Sequence, residues 1–508
     1  MVNDSFKAIA PASSFFSFLP SSVKISHHMA SENNQLIRGL TLTGTTALVV
    51  GTVIGTGVFL KAAPMAQDTG TPTLVLAAWV AAGFLSLAGA LTYAELGAML
   101  PHAGGEYVYL RHSYGEAAAF LFGWQRFIVA GSASIASLGA GCAIFLAAFL
   151  PLNTVWAKTQ FGLFGLTINW QFGAKQVVAV FIILLISALN CLTVAFGGKV
   201  QAVLTVLKIA GILLIIGGVF FFAPEVKWDN LGTPTGAPEW SGFAAFGTAM
   251  LAALWAYDGW NNMPMASGEV KNPGRNIPRA LIGGMIVVML IYCLANLAYF
   301  YALPFNEIVS SSSTRYGDAL PVASKAAQGF LGDYGGRIVA LAFVVSAIGA
   351  LNGSILSNAR VPYAMARDGV FLSSMSGLSA KSRVPVTAIL IQAVWSSVLA
   401  LSGTFDQLTN LLIFASWIFY GLVTSSVFVL RRKMPDAERP YKTLGYPLMP
   451  MIFVLVTIWL IINTLINLRN ESLAGLLLIA LGLPVYFYYR HQNRRGGDIA
   501  AKEEFSTS

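Results

Sequence analysis

The sequence predicts an all-α polytopic membrane protein with about twelve transmembrane helices. Of its 508 residues 56% are hydrophobic and 10% charged, with a mean hydropathy of +0.68, whereas soluble domains carry about 25% charge. Apolar runs such as Val177–Leu189 and Leu207–Phe222 recur along the chain, and a helix crossing a bilayer needs about 20 such residues. Hydropathy and Pro/Gly breaks place spans near 40–66, 72–100, 115–150, 176–196, 199–222, 241–267, 280–303, 335–360, 385–402, 405–430, 447–468 and 472–490.

Charge placement gives the orientation. With the N-terminus inside, 21 of the 31 Lys and Arg residues lie on the inner side, 8 on the outer side, and Arg126 and Lys208 within spans. This bias is the positive-inside signature and puts both termini in the cytoplasm of a cell (plasma or inner) membrane. It also accounts for the net charge of +9 without a nucleic-acid partner. Residues 1–39 are expected to be a disordered cytoplasmic tail with Met29 as an alternative start, 40–490 one membrane domain in contact with lipid, and 491–508 a cytoplasmic tail.

Several functions are excluded. Cys142, Cys191 and Cys293 lie in apolar segments without metal-site spacing, and the five histidines lie in loops or tails. There is no HExxH, GxSxG or Walker lysine motif. No enzyme activity, metal or cofactor is expected.

Ionisable residues at membrane depth mark functional sites, because burying them is costly. They are Arg126, Lys208 and Asp258, with Glu95 near an inner end. Two spans are also built to break. The first carries Gly51, Gly55 and Gly57, then Pro64; the sixth carries WAYDGWNNMP, Trp255–Pro264. Gly, Asn, Asp and Pro all disfavour a continuous helix. Interrupted helices in corresponding positions of two halves point to a transporter's binding site.

Each break frees N–H groups at one new end and C=O groups at the other. A carboxylate suits the amides of Gly55, Thr56 and Gly57. An ammonium suits the carbonyls of Val53, Ile54, Trp255, Ala256 and Tyr257. A free zwitterionic amino acid satisfies both. Other readings of single motifs stay open: Gly51 and Gly55 form a GxxxG helix-packing pattern, and Asp258 is suited to capping a half-helix.

With those residues identified, the chain resembles the amino acid–polyamine–organocation superfamily, and within it the L-type amino acid transporter family and its bacterial relatives. The resemblance spans about Leu40 to Tyr489. It rests on GTVIGTGVF (Gly51–Phe59), YAELGAMLPHAGGEYVYLRHSYG (Tyr93–Gly115), LWAYDGWNN followed by GEVKNPGRNIPRA (Gly268–Ala280), GALNGSILSNARVPYAMARDG (Gly349–Gly369) and RRKMPDAERPYKTLGYPLMP (Arg431–Pro450).

The resemblance implies a LeuT-type fold: two inverted five-helix repeats over about 40–222 and 241–430, with first and sixth helices broken, plus two extra helices over about 447–490. It implies secondary-active amino acid transport by alternating access, as exchange, with proton symport or a non-transporting sensor or channel as alternatives. Trp255, Ala256, Tyr257 and Gly259 would hold the amino acid backbone, with Trp255 closing over it from outside. Lys208 would stand where sodium-coupled relatives hold a cation, making transport sodium-independent. Asp258 would face the substrate ammonium or a basic side chain, with Arg126 as its partner or as a barrier to cations. Asn261 and Asn352 are accessory polar candidates. The outer loop Pro151–Lys175 lacks the cysteine that links heterodimeric members to a heavy subunit, so no such partner is expected.

Overall fold

The computed structural model describes residues 36–492, apart from 164–165, 224–225, 233–241, 314, 317–318, 403–404 and 468. The expected N-terminal tail up to residue 35, the start at Met29 and the C-terminal tail from 493 lie outside the described residues.

Among the described residues eight helices are long and apolar enough to cross a membrane: Leu42–Leu60, Pro72–Met99, Glu116–Leu146, Val194–Phe222, Pro273–Ala302, Tyr334–Arg367, Leu448–Ile466 and Ser472–Gln492. Shorter apolar helices at Ala174–Asn190, Ala245–Tyr257 and Val386–Ser402, together with Phe405–Lys433, fill the remaining expected positions in order. Threonines start several of them. Thr41, Thr71 and Thr193 accept hydrogen bonds from the N–H groups of Gly44, Leu74 and Phe196, satisfying donors that the first turn leaves open.

The fifth span shows what holds the bundle together. Its buried face carries Gln201, Thr205, Lys208, Ile212 and Ile215, three or four residues apart. Val203, Val206, Leu207, Leu213 and Leu214 are exposed. Polar groups turn inward and aliphatic groups outward, as a hydrocarbon solvent requires. Helices five places apart pack together: second on seventh, third on eighth, fourth on ninth. The first span lies against the fifth, seventh and eighth.

The expected outer loop 151–175 differs from a plain connection. It forms an antiparallel hairpin, Val155–Leu163 with Leu166–Gly173. Trp170 Nε1 donates to Leu401 O at 2.8 Å, and the Trp156 and Phe172 rings lie 5.2 Å apart. Strand pairing is open to this segment because it lies between spans, where its edges need not face hydrocarbon.

Ion pairs bind the loops at the opposite end. Arg360 grips Glu269 bidentately at 2.9 and 3.0 Å, and both side chains are buried. Arg431 grips Glu95 at 2.9 and 2.7 Å, and Glu95 Oε2 also accepts from the Thr443 N–H at 2.6 Å. Arg111 meets Asp368 at 2.6 Å, with side chains 41% and 25% exposed.

Burial separates these pairs energetically. Glu269→Ala leaves the Arg360 charge buried and unpaired, an expected loss of about 3–5 kcal/mol. Arg111→Ala removes an exposed pair worth about 0–1 kcal/mol. Unfolding of the detergent-solubilised variants checks the ranking; equal losses would contradict it.

Candidate functional site

The first span runs as a helix from Leu42 to Val53, opens at Ile54–Thr56, and resumes at Gly57. The sixth runs to Tyr257, opens over Asp258–Asn261, and resumes at Asn262. The two breaks meet. A methyl group at Gly57 would overlap Ala256, so only glycine permits this approach. Gly259 has φ +119°, and a Cβ there would stand 2.7 Å from Thr52 O.

Lys208 supports the first break. Its ammonium is fully buried and donates to Gly51 O at 2.7 Å, Ile54 O at 2.6 Å and Ser346 O at 2.9 Å. Three carbonyls from the first and eighth spans thus converge on one cation carried by the fifth. Ser346 Oγ lies 3.0 and 2.9 Å from the carbonyls of Ile54 and Gly55. Tyr292, on the seventh span, links the breaks, its hydroxyl 2.9 Å from Val53 O and 3.0 Å from Ala256 O.

Several carbonyls assigned to a substrate ammonium therefore already have protein partners. Those of Val53 and Ala256 meet Tyr292, that of Ile54 meets Lys208, and that of Trp255 accepts the Asp258 N–H at 3.2 Å. Intramembrane carbonyls are costly to leave unsatisfied, though each keeps a second lone pair. The donor side differs. The Gly55 N–H is taken by the Tyr292 hydroxyl, whereas among the described residues the N–H groups of Thr56 and Gly57 donate to no carbonyl, and Thr56 Oγ1 has no partner.

A cavity of about 40 Å³ lies between the breaks. Of the residues singled out in the sequence, Val53, Gly55, Thr56, Gly57, Trp255, Ala256, Asp258 and Gly259 line it. Asp258 Oδ1 accepts from the Tyr420 hydroxyl at 2.6 Å. Lys61 stands over the Trp255 ring, 4.3 Å from its centroid, a cation–π contact.

Other expected residues lie elsewhere. Ile54 turns its carbonyl to Lys208, and Tyr257 packs its ring against Trp79 and Tyr292. Asn352 accepts from Asn190 at 2.9 Å and donates to Gln201 at 2.8 Å, outside the cavity lining. Asn261 is buried beside the loop residue Glu106.

Arg126 sits in a π-helical turn, Gln125–Ala130, of the third span, a deviation frequent at functional sites. It donates to Asn358 Oδ1 at 2.6 Å and to Asn262 Oδ1. Among the described residues it forms no ion pair with Asp258, acting on it only through space.

Sequence reasoning missed Thr52, Ser134, Ser137, Leu138, Asn262 and Ser354, which complete the cavity wall. Their signal was available: Ser134 and Ser137 are polar residues at i, i+3 in an apolar span.

The sequence matches the amino acid permease family over residues 40–487. The chain belongs to the amino acid permease family. It is thus a multi-pass membrane transporter of amino acids and not an enzyme. It is 34% identical to the serine/threonine exchanger SteT of Bacillus subtilis (strain 168), covering 90% of this chain and 98% of that protein. It is 31% identical to the mouse (Mus musculus) b(0,+)-type amino acid transporter 1, covering 92% and 91%. With the human (Homo sapiens) cystine/glutamate transporter it shares 28%, covering 90% and 86%.

The geometry ranks this permease's residues. Lys208→Ala removes the donor for three buried carbonyls and should lower transport by at least about tenfold, roughly 1.4 kcal/mol, with protein still reaching the membrane. Arginine should not rescue it, since a planar fork cannot replace a compact ammonium. Flux of labelled amino acid normalised to purified protein measures both; normal flux in Lys208→Ala would remove its assigned role. Gly57→Ala should abolish transport through its overlap with Ala256, and uptake near wild type would show that the breaks need not touch.

Proposed function

We propose that the protein is a sodium-independent exchanger of small neutral amino acids that works by alternating access. The observation that carries this reading is the facing pair of helix breaks. One offers the amides of Thr56 and Gly57 to a carboxylate, and the other offers Asp258 to an ammonium. The Lys208 ammonium supplies the positive charge that the carbonyls of Gly51, Ile54 and Ser346 would otherwise take from a metal cation.

The small cavity with Ser134, Ser137 and Ser354 in its wall favours serine, threonine and similarly compact substrates. The activity for which the Bacillus subtilis relative is named, serine/threonine exchange, supports the same class. The contacts of second with seventh, third with eighth and fourth with ninth helix support two inverted five-helix repeats. With two further helices this reading has twelve crossings in one membrane domain, and the positive-inside bias supports both termini lying in the cytoplasm of the cell membrane. The cysteine-free outer hairpin supports function without a disulfide-linked heavy subunit.

Purified protein in liposomes preloaded with serine should take up labelled serine equally with sodium or with choline outside. Uptake should fall by at least about tenfold when the interior is empty, a difference of roughly 1.4 kcal/mol in the barrier to return. A sodium requirement would overturn the role given to Lys208, and equal uptake into empty liposomes would exclude exchange. Asp258→Gly should change the ranking of competing amino acids; an unaltered ranking would leave Asp258 as a helix cap.

A further inference from the structure

The substrate cavity abuts a buried charge cluster that the exchange reading leaves unused. Glu106 opens the loop helix Glu106–Tyr114 and is fully buried. Its Oε1 accepts from the Tyr93 hydroxyl of the second span at 2.7 Å. Among the described residues its Oε2 meets no partner at full hydrogen-bond geometry, nor does the side chain of Asn261, which lies close enough to the same carboxyl to act on it as a hydrogen-bonding group. The Arg126 guanidinium of the third span faces both Glu106 and Asp258, while Tyr420 of the tenth span bonds Asp258 and also faces Glu106. Tyr109, one turn along the loop helix, is the remaining titratable group facing it.

Charge accounting on this cluster leaves a remainder. The buried Glu106 carboxylate and the half-buried Asp258 carboxylate share one guanidinium, so with both ionised the cluster carries one uncompensated negative charge. Such a charge is costly in a low-dielectric interior unless a counter-ion or proton joins it. We propose that Glu106 is a proton-binding residue of this permease. A proton on Oε2 and a cationic group in the cavity beside Asp258 are alternative ways of cancelling that charge. The protonated Oε2 would donate to Asn261 Oδ1, satisfying two orphaned atoms at once.

Burial drives the Glu106 carboxyl up to about 7, opposed by Arg126 and by the hydrogen bonds of Tyr93 and Asn261 and reinforced by Asp258. The proton is therefore held at acidic pH and released as pH rises through neutrality. Neutral substrates should be favoured below the transition and substrates with a basic side chain above it.

The inference rests on the exchange reading, and serine-loaded liposomes test the two separately. Lysine competition against labelled serine should strengthen by about tenfold between about pH 6 and about pH 8. Glu106→Gln should hold competition at its weak, acidic level throughout, while serine exchange persists. Glu106→Asp should keep the pH dependence, which a merely structural role would not predict. If Glu106→Gln does not fold, Tyr93→Phe serves instead: losing a hydrogen bond to the carboxylate moves the transition to higher pH. Serine exchange with competition independent of pH in the wild type, or a Glu106→Gln profile matching it, would overturn the proton site alone. Absence of serine exchange in the wild type would overturn the exchange reading.

Discussion

Everything at the centre of this bundle depends on one ammonium group. Lys208 Nζ is held by three carbonyls at 2.6–2.9 Å, two on the first span and one on the eighth. A helix opened inside a membrane exposes carbonyls that no lipid can satisfy. A buried lysine without such oxygens would be equally untenable. Each defect is tolerable only in the presence of the other. The fifth span places the lysine by pointing its narrow polar face, Gln201, Thr205 and Lys208, at the first. Thr205 Oγ1, 3.1 Å from Ala47 O, continues the same contact one turn away.

From that constraint follows the division of labour at the breaks. Lys208, Ser346 and Tyr292 engage the carbonyl side, and Tyr292 also takes the Gly55 amide, while the amides of Thr56 and Gly57 take no carbonyl. The protein thus answers its own acceptors and leaves donors for an anionic group. The zwitterion reading expected both sides to be open. With those carbonyls engaged, the group left for the ammonium in the proposed reading is Asp258, which lines the cavity.

The parts of this arrangement legible in the sequence were those that break a rule. Glycines in GTVIGTGVF and the Asp, Asn and Pro of WAYDGWNNMP contradict a membrane helix, and Lys208 contradicts an apolar run, so each stood out. Tyr292 and Ser346 break no rule. Hydroxyl residues are ordinary in membrane spans, and only the packing of the seventh and eighth helices on the first gives them a task. Asn352 stood out as polar, yet its partners are Asn190 and Gln201, because a polar side chain in a bundle is drawn to whichever amide faces it. The outer hairpin was missed for the opposite reason. Its Trp, Phe, Thr and Ile residues favour strands, but they follow no clean alternation.

The unpaired amides also bear on why such a carrier would exchange rather than return empty. Sealing the cavity around Thr56 and Gly57 without an anion would bury donors without acceptors. Each unsatisfied group costs about 1–3 kcal/mol, so two raise the barrier to an empty transition by about 2–6 kcal/mol. That corresponds to roughly 30-fold to more than 10⁴-fold in rate. A bound carboxylate would remove the penalty, so that on the proposed reading reorientation is favoured when the site is loaded. Lys208 sharpens the effect. With its ammonium already engaged by three carbonyls, it is not free to swing into the cavity and replace the missing ligand. On the proposed reading, the residue that replaces sodium would thereby also help make the return step depend on a substrate.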